Sequence, residues 1–226
     1  MATARPLRTS MYVPGNKEDW MRKAPQYGSD ALILDLEDSV PVPNKSEARV
    51  LGRKMLEEMG GEKPTLTVRV NRLETGLTGG DLEAITCPQL YCVLLPKVES
   101  AADVVEVDNL LSHFERKVGM EVGTIFIDPG METATSIRLA YEIASASPRV
   151  AHMGGSGGKG GAARARAAAA APLVLDLHAP AALALAPAAE IGLVHCDLTI
   201  DDAVGFKFQV VANDLTQTVK IVDGGF

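Results

Sequence analysis

The chain has few cysteines, few aromatic residues and no long hydrophobic run. Its three cysteines, Cys87, Cys92 and Cys196, are odd in number and lack the spacing of metal ligands. We therefore expect neither a disulfide framework nor a zinc site, and we interpret them as reduced thiols. No apolar run reaches the roughly 18 residues of a membrane span, and residues 1–8 lack the apolar core of a secretory signal. These absences predict a cytoplasmic protein that does not insert into a membrane.

Basic residues are also in deficit. The chain has 22 Lys and Arg against 29 Asp and Glu, which gives a formal net charge of −7. An acidic surface repels nucleic acid and anionic membranes, so neither is expected as the main partner. The length of 226 residues suffices for one large domain with a substantial core. A small-molecule binding site fits this composition best.

Residues 31–40 (ALILDLEDSV) contain the most informative stretch of the chain. Five of the first six residues are apolar, which is typical of a strand buried on both faces, and Glu37 and Asp38 then follow together. In parallel α/β folds, functional side chains collect at the carboxyl ends of strands. The alternative is structural, with Glu37 as a cap or ion-pair partner and Asp38 at the start of a turn.

Strand and helix patterns alternate six times along residues 9–153. The strands are predicted at 9–13, 31–36, 65–70, 91–95, 124–128 and 150–153, and the helices at 17–27, 45–59, 78–85, 101–114 and 133–145. This alternation predicts an α/β protein with a parallel sheet, either a (β/α)8 barrel of the TIM type or an open doubly wound sheet. We prefer the barrel, because charged residues follow four successive predicted strands: Glu37, Arg69, Lys97 and Glu132.

A series of motifs resembles the HpcH/HpaI aldolase and citrate lyase beta-subunit (CitE-like) family. In order, the motifs are YVPGN (12–16), LILDLEDSV (32–40), VRVN (68–71), ETGL (74–77), DLEAI (81–85), LPKVESA (95–101), ETA (132–134) and AYEIA (140–144). The resemblance covers about residues 8–161. It implies a Mg²⁺-dependent (β/α)8 barrel, usually a homo-oligomer, that makes or breaks carbon–carbon bonds next to a carboxylate or a CoA thioester.

Carried over residue by residue, the resemblance implies a role for each residue of the site. Arg69 would clamp the substrate carboxylate, Glu132 would bind the metal, and Glu37 and Asp38 would order the metal-bound waters. Lys97 and Glu132 would also contact the substrate. The residue types suit this chemistry, since Mg²⁺ prefers carboxylate oxygens and a guanidinium fork matches a carboxylate. Taken singly, Arg69 can equally be a surface-paired arginine and Glu132 a helix N-terminal acid.

The sequence departs from the family after the sixth predicted strand. The family has a second acidic metal ligand there, at a position corresponding to Gly158 or to Ala162, and neither residue is acidic. The glycine-rich loop 154–161 can offer backbone N–H groups to a phosphate, with Lys159 nearby, but it lacks the Walker pattern. The missing carboxylate leaves open an inactive barrel remnant that binds at most an acyl-CoA or a carboxylate.

The composition changes abruptly after residue 161. In residues 162–189, 15 of 28 residues are alanine. An alanine-rich helix cut by prolines is one interpretation, and a reading-frame change in a GC-rich gene is the other, which the single breakpoint favours. We therefore divide the chain into barrel units (1–161), an Ala/Pro-rich segment (162–189) and a β-containing tail (190–226). In the tail, strands are predicted at 192–196, 205–211 and 218–222, with the last two paired as a hairpin.

Overall fold

Seven of the described strands form one parallel sheet in sequential order. The computed structural model describes residues 7–61 and 64–155, and the backbone of 192–193, 195–201 and 205–211. Each strand pairs in parallel with the next one along the chain, in the order β1 to β7. A doubly wound sheet reverses its strand order at a switch point, whereas a barrel winds in one direction. The chain therefore has the α/β fold of the TIM-barrel type, as predicted. The strands are β1 (Ser10–Pro14), β2 (Ala31–Asp35), β3 (Thr65–Arg69), β4 (Cys92–Leu95), β5 (Phe126–Met131), β6 (His152–Gly155) and β7 (Gly192–Leu193).

Helices follow the first five strands. Two of them are interrupted relative to the sequence prediction, and the helix predicted at 101–114 runs on to Lys117. The predicted helix 17–27 ends at Lys23 and continues as a 3-10 turn, because Pro25 lacks the N–H that an α-helix needs. The predicted helix 133–145 is divided into two short helices at Leu139, where φ is −101° and ψ is 20°. The helices are α1 (Glu18–Lys23), α2 (Lys45–Met59), α3 (Thr78–Ile85), α4 (Ala101–Lys117), α5 (Ala134–Arg138) and α6 (Ala140–Ala144).

The main core lies between the sheet and the helices. In β2 and the residue after it, Leu32, Leu34 and Leu36 are fully buried and share a cluster with Met55 and Leu56 of α2. Because successive side chains of a strand point to opposite faces, the alternate residues face the other side of the sheet. Asp35 lies on that second face. The alternation thus separates the packing residues from the polar ones that build the site.

A buried ion-pair network joins α4 to the loop before β6. Arg149 is 3% exposed and donates to both carboxylate oxygens of Glu115, at 2.9 and 2.6 Å. It also donates to Asp108 at 2.5 Å and to the carbonyl of Ile125 at 2.9 Å. Since Arg149 and Ile125 precede β6 and β5, the network lies at the amino-terminal end of the sheet. We expect the network to affect stability and not the carboxyl ends of the strands.

Two strands of the tail form an antiparallel pair. β8 (His195–Asp201) lies beside β9 (Gly205–Val211), a pairing that the sequence pattern did not predict because a strand's partner is set by long-range contacts. The hairpin predicted between 205–211 and 218–222 stays a prediction. Residues 192–193 instead extend the parallel sheet beside β6. The predicted strand 218–222 and the Ala/Pro-rich segment 162–189 lie outside the described residues.

Two further sequence expectations concern membranes and thiols. In the described ranges, no helix combines the length and apolarity that a membrane span requires. Cys87 and Cys92 are both buried and unbridged, in agreement with the interpretation as free thiols. Burial raises the pKa of both thiols, so neither is poised as a nucleophile.

Candidate active site at the carboxyl ends of the strands

Asp35, the last residue of β2, organises the loop that follows it. Its carboxylate accepts hydrogen bonds from the backbone N–H of Glu37 at 2.8 Å and of Ser39 at 3.0 Å, and from the Ser39 hydroxyl. On the other side of the loop, the buried Lys45 ammonium donates to the carbonyls of Leu36 and Glu37. The predicted acidic pair, Glu37 and Asp38, therefore lies on a loop that Asp35 and Lys45 fix by hydrogen bonds.

Arg69, at the end of β3, forms a two-pronged ion pair with Asp35. Its Nε and Nη2 donate to the two Asp35 oxygens, each at 2.8 Å. The two residues are neighbours in the β2–β3 register, which brings their side chains together at the same edge of the sheet. The Tyr12 ring lies against the guanidinium, with its centroid 4.9 Å from Cζ. This arrangement fixes both the position and the plane of the guanidinium.

The sequence analysis missed Asp35 and Tyr12. The signal for Asp35 was present, because an acid inside an otherwise apolar strand must have a partner when it is buried. The strand is buried along its whole length, and Asp35 is 2% exposed. Tyr12 carried no comparable signal, since a tyrosine in a strand is as often a packing residue.

The predicted site residues Glu37, Asp38 and Lys97 meet next to Arg69. The Lys97 ammonium lies 2.7 Å from Glu37 Oε1 and 3.6 Å from Asp38 Oδ1. Arg69 Nη1 lies 3.5 Å from Glu37 Oε2 and 3.9 Å from Asp38 Oδ2. Glu37 is 8% exposed at its side chain, whereas Asp38 is 65% exposed. Two cations thus converge on one buried and one solvent-facing carboxylate.

Glu132, which follows β5, joins the cluster through the backbone of Lys97. Its Oε1 accepts the Lys97 N–H at 3.3 Å. Lys97 has φ of 53°, the one described non-glycine residue in the left-handed region. Such a conformation is costly for a residue with a Cβ and is retained where the surroundings enforce it. At Lys97 it directs the ammonium to Glu37 and the N–H to Glu132 together.

The charges of the site are shifted by burial and by their partners. Burial acts to raise the pKa of Asp35, but the hydrogen bonds and charge of Arg69 outweigh it, so this pKa lies below its usual value. Burial raises the pKa of Glu37 despite its contact with Lys97. Burial also raises the pKa of Tyr12, which therefore stays a neutral phenol. The site combines a firmly ionised Asp35 with a more easily protonated Glu37.

All five residues selected from the sequence therefore lie in one cluster. Among the described residues, however, no three His, Cys, Asp or Glu side chains are placed so that they could hold a metal ion together. Mg²⁺ usually keeps several waters and takes only one or two carboxylates, and the donors present are carboxylates. Glu132 as a direct ligand, with Glu37 and Asp38 reaching metal-bound water, fits such a loosely held ion.

Comparison with known proteins identifies the family of the chain. The family model "HpcH/HpaI aldolase/citrate lyase" matches residues 8–154. Citrate lyase subunit beta of Leuconostoc mesenteroides is 35% identical over 150 residues, which cover 66% of this chain and 50% of that protein. A (3S)-malyl-CoA thioesterase of Cereibacter sphaeroides is 37% identical over 150 residues, covering 66% of this chain and 48% of that protein.

A solved structure shares both the fold and the family. It is the citrate lyase beta subunit of Mycobacterium tuberculosis, complexed with oxaloacetate and magnesium. It is 28% identical with a TM-score of 0.51, and the match covers 67% of this chain and 58% of that one. The chain spans about half the length of the curated relatives it matches. A family model that covers well over half of the sequence, over the residues that build the site, shows that the chain belongs to the HpcH/HpaI aldolase/citrate lyase family.

Proposed function

We propose that the protein is a Mg²⁺-dependent carbon–carbon lyase. Its substrate would be citryl-CoA, malyl-CoA or a related 2-keto or hydroxy acid. The observation that carries the proposal is the cluster of Arg69 with Glu37, Asp38, Lys97 and Glu132 at the carboxyl ends of the parallel strands. A cationic fork beside several carboxylates suits an anionic substrate that binds together with a divalent cation.

The side chains divide the work of binding and orientation. Arg69 would hold the substrate carboxylate, and Lys97 would neutralise Glu37. In the cleavage the substrate hydroxyl loses its proton and becomes a carbonyl, the carbon–carbon bond beside it breaks, and the electron pair of that bond remains on the other fragment as an enolate, which then takes up a proton. Bound Mg²⁺ would supply the positive charge that stabilises the enolate oxygen. Glu37 and Asp38 would orient the metal-bound waters.

Turnover assays test the reaction class. We expect cleavage of citryl-CoA, malyl-CoA or a free 2-keto-4-hydroxy acid with Mg²⁺, and loss of that cleavage when a chelator is added. The products must be identified, because a relative is a thioesterase and thioester hydrolysis would also consume malyl-CoA. If malyl-CoA releases free CoA while its carbon skeleton stays intact, the reaction is thioester hydrolysis and the lyase proposal is wrong. If a chelator does not change turnover, the proposed dependence on Mg²⁺ is wrong.

The metal site should be weak. With Glu132 as the direct carboxylate ligand and no acid at Gly158 or Ala162, we expect half-saturation by Mg²⁺ only in the millimolar range. The measurement is a calorimetric titration with Mg²⁺, repeated with Mn²⁺ by water-proton relaxation. Glu132→Gln should abolish binding, while Glu83→Gln, which changes an exposed carboxylate of α3 paired with Lys117, should leave it unchanged. Micromolar affinity, or binding that survives Glu132→Gln, would contradict the assignment.

A non-catalytic barrel remnant is the second candidate. The specific observation in its favour is the absence of an acid at Gly158 and Ala162. In that case the assays above would show no turnover with any substrate, while a carboxylate or an acyl-CoA would still bind. The division of the chain at residues 161 and 189 is part of this candidate. A cytoplasmic location and a homo-oligomeric state are also proposals, the first from the cysteine usage and the second from family membership.

A further inference from the structure

Asp35 and Arg69 are positioned differently with respect to solvent. The Asp35 side chain is 2% exposed and the Arg69 side chain is 15% exposed, so the pair lies at the boundary of the core with its guanidinium outermost. The two carboxylate oxygens of Asp35 accept hydrogen bonds from Arg69, Glu37 and Ser39. A carboxylate with so many hydrogen-bond donors is fixed in place. Because Arg69 is paired with this carboxylate, the guanidinium is fixed as well.

The contact divides the guanidinium into an occupied edge and an open edge. Of the five N–H groups of an arginine, the one on Nε and one on Nη2 point to Asp35. Of the remaining N–H groups, one on Nη1 and one on Nη2 form the end-on edge, and the second one on Nη1 points back beside Cδ. Among the described residues, Nη1 makes only longer ion-pair contacts, 3.5 Å to Glu37 Oε2 and 3.9 Å to Asp38 Oδ2. The end-on edge is open in this sense, and it faces the acidic loop at the mouth of the sheet.

The Tyr12 ring restricts the remaining freedom of the guanidinium. Its centroid lies 4.9 Å from Arg69 Cζ, so the guanidinium lies over the face of the ring. An arginine held along one edge and packed over a ring cannot turn its Nε–Nη2 edge outward without breaking the pair with Asp35. The preorganised geometry saves the entropy that a free arginine would lose on binding a ligand.

We propose that Asp35 is a positioning residue that fixes Arg69 so that a ligand carboxylate binds end-on, across Nη1 and Nη2. The end-on geometry rests on the proposed function, whereas the fixed guanidinium does not. Asp35 touches no ligand in this arrangement. It acts by blocking the side-on edge and by holding the end-on edge towards the mouth, between the loop after β2 and the end of β4.

Nuclear magnetic resonance of the arginine side chains tests the fixed guanidinium in the wild-type chain. The Arg69 Nε–H signal, assigned by its loss in Arg69→Lys, should exchange slowly with water, and the Nη protons should be resolved because rotation about the Cζ–N bonds is hindered. In Asp35→Asn the Nε–H exchange should accelerate by at least about tenfold and the Nη signals should merge. A rapidly exchanging, averaged Arg69 in the wild type would overturn the proposal even if the variant does not fold.

Oxaloacetate with Mg²⁺ is the probe for the binding edge. Its addition should shift the Arg69 Nη signals and leave the Nε–H signal in place, and Asp35→Asn should weaken its dissociation constant about 10- to 100-fold. A dominant Nε–H shift, or affinity unchanged or tighter in Asp35→Asn, would overturn the end-on geometry. The matched control is Glu115→Gln, which disrupts the buried pair with Arg149 at the other end of the sheet and should not alter this affinity. If the wild type binds no oxaloacetate, both the end-on geometry and the proposed function are wrong. The hydrogen-exchange measurement still shows in that case whether Asp35 fixes Arg69.

Discussion

Arg69→Lys should weaken oxaloacetate binding in the presence of Mg²⁺ by about 100-fold, which corresponds to about 3 kcal/mol. Lysine keeps the positive charge but has no planar fork, so it cannot pair with both Asp35 oxygens and also present two N–H groups to a ligand. Calorimetric titration measures the affinity. If the chain is active, turnover should fall at least as much, because orientation of the substrate is lost as well.

The matched control for this change is Arg72→Lys. Arg72 lies in the loop directly after β3, is 41% exposed and pairs with the exposed Glu74 at 3.2 Å. It is outside the cluster of site residues, so its replacement should leave oxaloacetate affinity unchanged. An Arg69→Lys protein that binds and turns over like the wild type would remove Arg69 from the carboxylate clamp. Circular dichroism of both variants establishes that the comparison is between folded proteins.

Arg149→Met should destabilise the fold by roughly 3–5 kcal/mol, the usual cost of removing one partner of a buried ion pair. Methionine retains much of the volume, so the loss is mainly electrostatic. The variant leaves Glu115, which is 0% exposed, without the two N–H donors that now reach its oxygens at 2.9 and 2.6 Å. The Ile125 carbonyl and Asp108 each lose the donor that Arg149 supplies, while Asp108 keeps the hydroxyls of Ser112 and Ser147. Urea-induced unfolding with an unchanged m-value measures the difference.

The pH dependence of this loss distinguishes charge from packing. Burial acts to raise the pKa of Glu115, but Arg149 and the backbone N–H groups of Ile125 and Gly123 hold it below its usual value. For Asp108, burial is likewise outweighed, by the Ser147 hydroxyl and by Arg149, so its pKa is also lowered. Carboxyls with lowered pKa values contribute stability above their unfolded-state pKa of about 4, and this contribution disappears as the pH falls through the folded-state values. The difference between wild type and Arg149→Met should therefore shrink below about pH 4.

An exposed ion pair supplies the control for stability. Lys117→Met removes the contact with Glu83, where both side chains are more than half exposed, and should cause no measurable change. A difference between wild type and Arg149→Met that stays constant from neutral to acidic pH would show that the network stabilises through packing alone. A loss no larger than that of Lys117→Met would show that the buried pair contributes nothing net.

Local pattern alone predicts the strands, the helices and the end of the sheet at which the site lies. Alternation of apolar strands with amphipathic helices is a property of short segments, which is why α2 and α3 have the predicted bounds and each strand is displaced by only a few residues. Polar residues after apolar strands mark the carboxyl ends for the same local reason. Glu37, Lys97 and Glu132 are therefore identifiable without any knowledge of their partners.

Partners are decided by tertiary structure, because they depend on register and on backbone conformation at a distance. Asp35 pairs with Arg69 since the β2–β3 register places them side by side, 34 positions apart in the chain. Lys97 contacts both Glu37 and Glu132 because of its positive φ, a conformation that no sequence motif predicts for a lysine. The same dependence on long-range pairing places 195–201 beside 205–211. Sequence pattern locates charged groups along the chain, while the pairing of strands determines which charges neutralise one another and which edge of Arg69 remains open to a ligand.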